Sequence, residues 1–130
     1  MLKTLQPSAW MRPKGYANGI VASGSSTIYT GGMIGWDASY QFQSVDFVDQ
    51  VRTTLENILA VLAEADAGPE HLVRMTWYIT DKQAYQARQR EVGLAYREVI
   101  GRHFPAMAVV EVSALMEDDA LVEIEAIAVK

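Results

Sequence analysis

The closing segment Leu121 to Val129, LVEIEAIAV, carries the reading that decides the fold. With the two-residue side-chain period of a strand, Glu123 and Glu125 share one face with Ile127 and Val129. Val122, Ile124, Ala126 and Ala128 take the other face, a small and aliphatic surface suited to contact with helices. Working outward, Met107 to Ala114 precedes it across the acidic turn Glu117, Asp118, Asp119, which predicts a hairpin between these two strands. Leu72 to Thr80, LVRMTWYIT, is aromatic and β-branched between Gly68-Pro69 and Asp81, and reads as another strand. Ile20 to Ala22 and Thr27 to Met33 flank the turn-rich Gly24-Ser25-Ser26, which suggests a second, antiparallel hairpin.

Two stretches carry a helical period instead. From Ser44–Asp46 to about Ala65, residues Val48, Val51, Leu55, Ile58, Leu59 and Leu62 recur at spacings of three and four, giving one apolar stripe. Asp46 and Asp49 stand where carboxylates suit a helix N-terminus, and Gly68-Pro69 closes the segment. A second helix is expected after Asp81, with Tyr85, Val92, Tyr96, Val99 and Ile100 as its apolar set and Gly101 as its C-terminal cap. The order β-β-α-β-α-β-β predicts one α+β domain over residues 1–130, two helices lying on one face of a mixed sheet.

The helix-free face is then expected to gather Glu123 and Glu125, the set Met107, Val109, Glu111 and Ser113, and the set Arg74, Thr76 and Tyr78. Such a face is too apolar to prefer water and too charged to bury alone. Association of identical chains resolves this, and predicts a homo-oligomer with sites at subunit boundaries.

Composition narrows the chemistry. The 130 residues are 50% hydrophobic and 21% charged, which excludes a wholly disordered chain. Eleven Lys and Arg against sixteen Asp and Glu give a net charge of −5, unfavourable for binding a phosphate backbone, so no nucleic-acid partner is expected. With no cysteine there is no disulfide, thiolate nucleophile or thiolate metal ligand, and the two histidines, His71 and His103, lie on separate segments. No metal or cofactor is expected. No apolar run has the length of a membrane span or a signal sequence, so a soluble, cytoplasmic protein without a membrane partner is expected.

Glu123 is the strongest acid/base candidate, a carboxylate on a strand whose neighbours are almost all aliphatic. The other reading is that Glu123, or Glu125, pairs with Arg74 and only sets strand register or subunit geometry. Gly31-Gly32-Met33-Ile34-Gly35 lacks the Lys-Ser/Thr of a phosphate loop; its glycines instead allow close backbone approach, or a ligand lying against main-chain groups. Tyr16, between Gly15 and Gly19, either hydrogen-bonds a ligand or caps an edge.

The segments PKGYANG, IYTGGMIGWD, QVRTTLENILAVLAEADAG, LVRMTWYITD and FPAM...VEV...VEIEAIAV, taken in order over nearly the whole chain, resemble the RidA family of imine and enamine deaminases, also described as L-PSP endoribonucleases. The resemblance implies a chorismate-mutase-like fold, a homotrimer whose sheets form a central barrel, and clefts between subunits that take a small-molecule substrate. It implies that Glu123 positions or activates the hydrolytic water and that Tyr16 and Gly31 line the cleft; Trp36, three residues after Met33, either forms an apolar wall of it or serves as core packing or surface cover. Members that hydrolyse 2-imino acids carry an arginine directly after FPA to bind the substrate carboxylate; this chain has Met107 there, followed by Ala108 and Val109. A thioether cannot make the paired charge-assisted hydrogen bonds of a guanidinium, so the expected ligand is larger or less anionic. Arg12, Lys14, Arg74 and Arg102 are candidate replacements for the missing cation. The expected activity is hydrolytic deamination of a small enamine, imine or related conjugated metabolite; the alternative is a non-catalytic trimer that binds small molecules. The ribonuclease implied by the family's other description is opposed by the charge and the lack of a basic stripe.

Overall fold

A computed structural model of the protein describes residues 1–130. The elements are β1 (Leu2–Leu5), β2 (Gly19–Ala22), β3 (Thr27–Tyr29), β4 (Met33–Ile34), α1 (Phe47–Ala63), β5 (Leu72–Ile79), α2 (Lys82–Ala87), α3 (Gln89–Val99), β6 (Ala106–Glu111) and β7 (Val122–Val129), with a 3₁₀ turn at Pro69–His71. The five-stranded sheet runs β3-β7-β5-β6, and β4 also pairs with β7. The β5–β6 pair is parallel and the other pairs are antiparallel, so the sheet is mixed.

Helix α1 forms where the apolar stripe predicts it. Asp46 caps it by accepting the Asp49 N–H at 3.0 Å. Val51, Leu55, Ile58 and Leu62 are fully buried against Leu72, Met75 and Ile79 of β5 and Val122, Ile124 and Ala128 of β7. Gln50, on the same helix and 1% exposed, is fully engaged: its Nε2 donates to the carbonyls of Ser44 (3.1 Å) and Asp119 (2.9 Å), and its Oε1 accepts the Leu121 N–H (2.8 Å). This amide ties the start of α1 to the entry of β7, and so fixes the height of Glu123 on the sheet.

Three expectations are corrected. β2 pairs with β1 rather than β3, so the hairpin across Gly24-Ser25-Ser26 does not form; Ser25 and Ser26 turn back onto the Lys130 carbonyl instead. β6 and β7 are not a hairpin either, because β5 lies between them, parallel to one and antiparallel to the other. The helix after Asp81 is split into α2 and α3 at Arg88, whose φ of −120° and ψ of 26° leave the helical region. Arg88 spans the break by pairing with Asp46 and Glu91. Three helices therefore cover the sheet, and Gly101, with φ of +89°, ends the last one as expected.

Register sorts the faces. Tyr78 lies opposite Glu123, Thr76 opposite Glu125 and Arg74 opposite Ile127, so these residues share the helix-free face as predicted. The parallel β6 does not follow. Ala106, Ala108 and Val110 align with Arg74, Thr76 and Tyr78, whereas Met107, Val109 and Glu111 align with Met75, Trp77 and Ile79 on the helix side. Met107 and Val109 pack against the core, and Glu111 accepts the Lys82 N–H at the start of α2.

Candidate functional site

On the helix side, the edge of the sheet opens into a cavity of about 780 Å³ between β5–β6 and α2–α3. Trp77, Met107 and Val109 come from the sheet, and Tyr85, Val92 and Tyr96 from the helices. Phe104 stacks on Tyr96, ring centroids 5.5 Å apart, and Tyr85 meets Trp77 edge to face. Burial pushes the phenols of Tyr85 and Tyr96 up, so both stay neutral, and Tyr96 donates its hydroxyl to the His103 carbonyl at 2.6 Å.

Tyr16 reaches the same cavity because its backbone is stitched to β6. Ala17 donates its N–H to the Pro105 carbonyl at 3.0 Å and bridges Ala106. Gly15 precedes it at φ of +80°, a left-handed conformation that glycine adopts without steric cost. Tyr16 remains 44% exposed. Lys14, Arg97 and Arg102 complete the rim, and no carboxylate lines the cavity.

The other expected residues lie elsewhere. Glu123 is half-buried on the opposite face of the sheet. Its carboxyl group packs on the backbone of Gly32, where an added β-carbon would stand only 2.8 Å from Glu123 Cδ, and Gly31 is the next residue. β7 and β6 are separated by β5, so about 10 Å of sheet divides Glu123 from Met107 in addition to their opposite orientation. Within one chain they cannot line one pocket.

Glu123 forms no ion pair, and neither does Arg74; the chain's ion pairs involve Arg52, Arg88 and His71. Glu125 accepts the Tyr78 hydroxyl at 2.7 Å. That hydrogen bond to Glu125, followed by desolvation and the nearby carboxylates, pushes the Tyr78 phenol up. A register-setting pair between Arg74 and either glutamate is therefore not formed.

Trp36 belongs to a separate aromatic group. It stacks on Tyr40 with centroids 4.4 Å apart and also meets Phe42, while Asn57 on α1 donates to the carbonyls of Ile34 and Trp36 at 2.9 Å each. A second cavity of about 860 Å³ borders β1, β2 and the 3₁₀ turn and contains Arg12, His71 and His103, but neither Glu123 nor Met107. Both imidazoles are occupied there: His71 Nδ1 accepts the Gly68 N–H at 3.0 Å, and His103 Nε2 bonds the Leu72 carbonyl at 2.7 Å.

Of the four candidate cations, Lys14 and Arg102 reach the cavity that holds Met107, Arg102 standing between it and the second cavity; Arg74 is on the opposite face and Arg12 in the second cavity. Arg97, Trp77, Tyr85, Tyr96 and Phe104 were not singled out as site residues from sequence. Tyr85 and Tyr96 were visible as one apolar stripe, but a stripe does not say whether it closes on the sheet or leaves a gap.

The family profile described as Endoribonuclease L-PSP matches residues 9–130. A RutC family protein of Pyrococcus horikoshii is 42% identical over 85 residues, covering 65% of this chain and 64% of that protein, so the match spans just under two thirds of its length. An Escherichia coli protein, TdcF, whose name describes a candidate reactive intermediate deaminase, is 31% identical over 108 residues, covering 81% of this chain and 80% of its own. The crystal structure of YyfB, a Rid family protein of Yersinia pestis, superposes with a TM-score of 0.87 over 99% of this chain and 98% of its own, at 24% identity. That likeness supports the α+β, chorismate-mutase-like fold. No helix is long and apolar enough to cross a membrane.

Proposed function

The chain belongs to the RidA family, described as Endoribonuclease L-PSP, and from that premise we propose that it is a hydrolytic deaminase of small imines or enamines, working at clefts between identical subunits. The observation that carries this reading is the division of the expected site residues. Tyr16, Met107 and Val109 border one cavity, while Glu123, packed on Gly32 next to Gly31, lies on the opposite face of the same sheet. A cleft that contains both groups needs one chain to present Glu123 and a second to present the cavity. The helix-free face suits such an assembly, since it carries Ile127, Val129, Ala106, Ala108 and Val110 beside charged residues, and Tyr29 on it is 72% exposed. A homotrimer closing on this face accounts for the exposure.

In the proposed reaction, Glu123 accepts a proton from water as the oxygen attacks the C=N carbon. Glu123 returns that proton to the nitrogen to give the carbinolamine, then takes the hydroxyl proton and passes it to the amine, which leaves as ammonia as the C=O forms, so one water is consumed and a carbonyl compound is produced. A carboxylate outside any ion pair is free to hold and return that proton. Tyr16 and the backbone at Gly31 orient the substrate, and Met107 and Val109 contact its apolar part; Trp36, stacked on Tyr40, is assigned no direct contact with it.

The test is ammonia release from a panel of imines generated in situ by an amino-acid oxidase. Acceleration that Glu123→Gln abolishes supports the proposal. No acceleration anywhere on the panel favours the second reading, a small-molecule-binding trimer without catalysis, which draws on the methionine at position 107 in place of an arginine.

A further inference from the structure

The cavity beside Met107 has an unusual balance of chemistry. The protein as a whole carries a net charge of −5, yet the cavity rim presents Lys14, Arg97 and Arg102 and no carboxylate. None of these three cations is used in an ion pair. Three exposed cations around one opening, with no carboxylate among them, give the mouth a positive potential that suits an anion.

Behind the rim the walls are aromatic: Trp77, Tyr85, Tyr96 and Phe104. Trp77 is 2% exposed, and its indole Nε1 is the one buried side-chain polar atom in the chain without a hydrogen-bond partner. Leaving such a donor unpaired is costly, and indole donors in packed cores are ordinarily satisfied. Gly93 adds a third observation. It lies within α3 and lines the cavity, and a β-carbon added to it would meet nothing within 4 Å. Packing does not demand glycine there, and glycine in a helix interior costs about 1 kcal/mol relative to alanine. Its effect is to keep the cavity wide.

We propose that this cavity binds an organic anion with a ring-sized apolar body, the body lying among Trp77, Tyr96 and Met107 and the anionic group held at the rim by Arg97, Arg102 and Lys14. The anion anchor implied at position 107 is thereby displaced from the strand to the rim, and the methionine becomes part of the apolar floor. This names the substrate class of the deaminase proposed above and rests on that reading for its chemistry. The binding itself does not depend on turnover, so the two can fail separately.

The experiment uses unreactive probes on the full chain: calorimetric titration with 3-phenylpropanoate, propanoate and the neutral 3-phenylpropanamide. The expected order has 3-phenylpropanoate tightest, with each of the other two weaker by about tenfold or more, since each lacks one half of the recognition. The pair Arg97→Gln and Arg102→Gln is expected to weaken 3-phenylpropanoate about tenfold and to leave 3-phenylpropanamide unchanged. Gly93→Leu, a good helix former that fills the open space, is expected to abolish binding of both aromatic probes while the thermal midpoint holds or rises. Raised ionic strength is expected to weaken only the anions. Equal affinity for the amide and the carboxylate, or insensitivity to the double arginine variant, overturns the proposal. Binding in the expected order without any deamination leaves it standing and removes the catalytic reading. Deamination of neutral imines that ignores both the arginines and Gly93 does the reverse.

Discussion

Gly32→Ala separates position from stability at the proposed catalytic carboxylate. A β-carbon at residue 32 would stand 2.8 Å from Glu123 Cδ and 3.0 Å from Cγ, and nearer still to Oε2. Carbon–carbon contacts settle at about 3.5–4.0 Å, so the carboxyl group must withdraw by roughly 1 Å. The far end of a half-buried glutamate can do this by a small rotation, and Gly32 has no left-handed backbone that would strain an alanine. The cost in unfolding free energy is expected to stay below about 1 kcal/mol. A displacement of about 1 Å in a group that must meet the attacking water costs roughly a hundredfold in rate, or about 2.7 kcal/mol of barrier. The assay pairs urea denaturation with kcat for ammonia release, with Glu123→Gln alongside. Wild-type kcat in Gly32→Ala refutes the assigned role of the carboxylate position. A drop in stability as large as the drop in activity refutes the claim that the two are separable.

Other perturbations probe the frame around the site. Gln50→Leu removes three hydrogen bonds at the junction of α1 and β7, and is expected to lower stability by about 3 kcal/mol in chemical denaturation, since the carbonyls of Ser44 and Asp119 and the Leu121 N–H lose their partner. Asp46→Ala removes the α1 cap and the partner of Arg88, and is expected to cost about 1–2 kcal/mol by the same measurement. The Arg88 guanidinium, with help from the Asp49 N–H, holds the Asp46 carboxyl below the usual aspartate range. Unfolded Asp46 therefore takes up a proton more readily than folded Asp46. The contribution is complete above the ordinary aspartate pKa, fades as pH falls through the depressed folded value, and is absent from an acid titration of Asp46→Asn. Gly93→Ala is expected to raise stability by about 0.5–1 kcal/mol while narrowing the cavity, a thermal-midpoint gain paired with weaker binding.

The parts of the fold legible in the sequence are those set by local periodicity. In β7 the alternation of Glu123 and Glu125 with Val122, Ile124 and Ala126 identifies the inner and outer faces without reference to any neighbour. In α1 the stripe from Val48 to Leu62 does the same. Pairing was not legible, because it is decided between segments distant in the chain. The short acidic connection between β6 and β7 suggested a hairpin, but β5 buries Leu72, Met75, Trp77 and Ile79 and takes the central position between them. Once β6 runs parallel to β5, its register sets which parity faces the helices, and Met107 and Val109 turn away from Glu123. The break at Arg88 has no proline or glycine to announce it; it coincides with an ion-pair network that reaches back to Asp46. Tyr16 and Gly31 were visible as glycine-flanked positions, whereas the packing of Arg97 and Phe104 around Tyr16, and of Glu123 on Gly32 beside Gly31, depends on the closed sheet.

Mixing two inactive variants tests directly whether the site is assembled from two chains. Glu123→Gln lacks the carboxylate and keeps the cavity; Gly93→Leu keeps the carboxylate and fills the cavity. Co-refolded in equal amounts, these chains are expected to recover ammonia release at about a quarter of wild-type sites, since each shared cleft draws its two halves independently. Activity that stays at the level of the separate variants would mean that each site belongs to a single chain, contrary to the opposed orientations of Glu123 and Met107 on which the assignment depends.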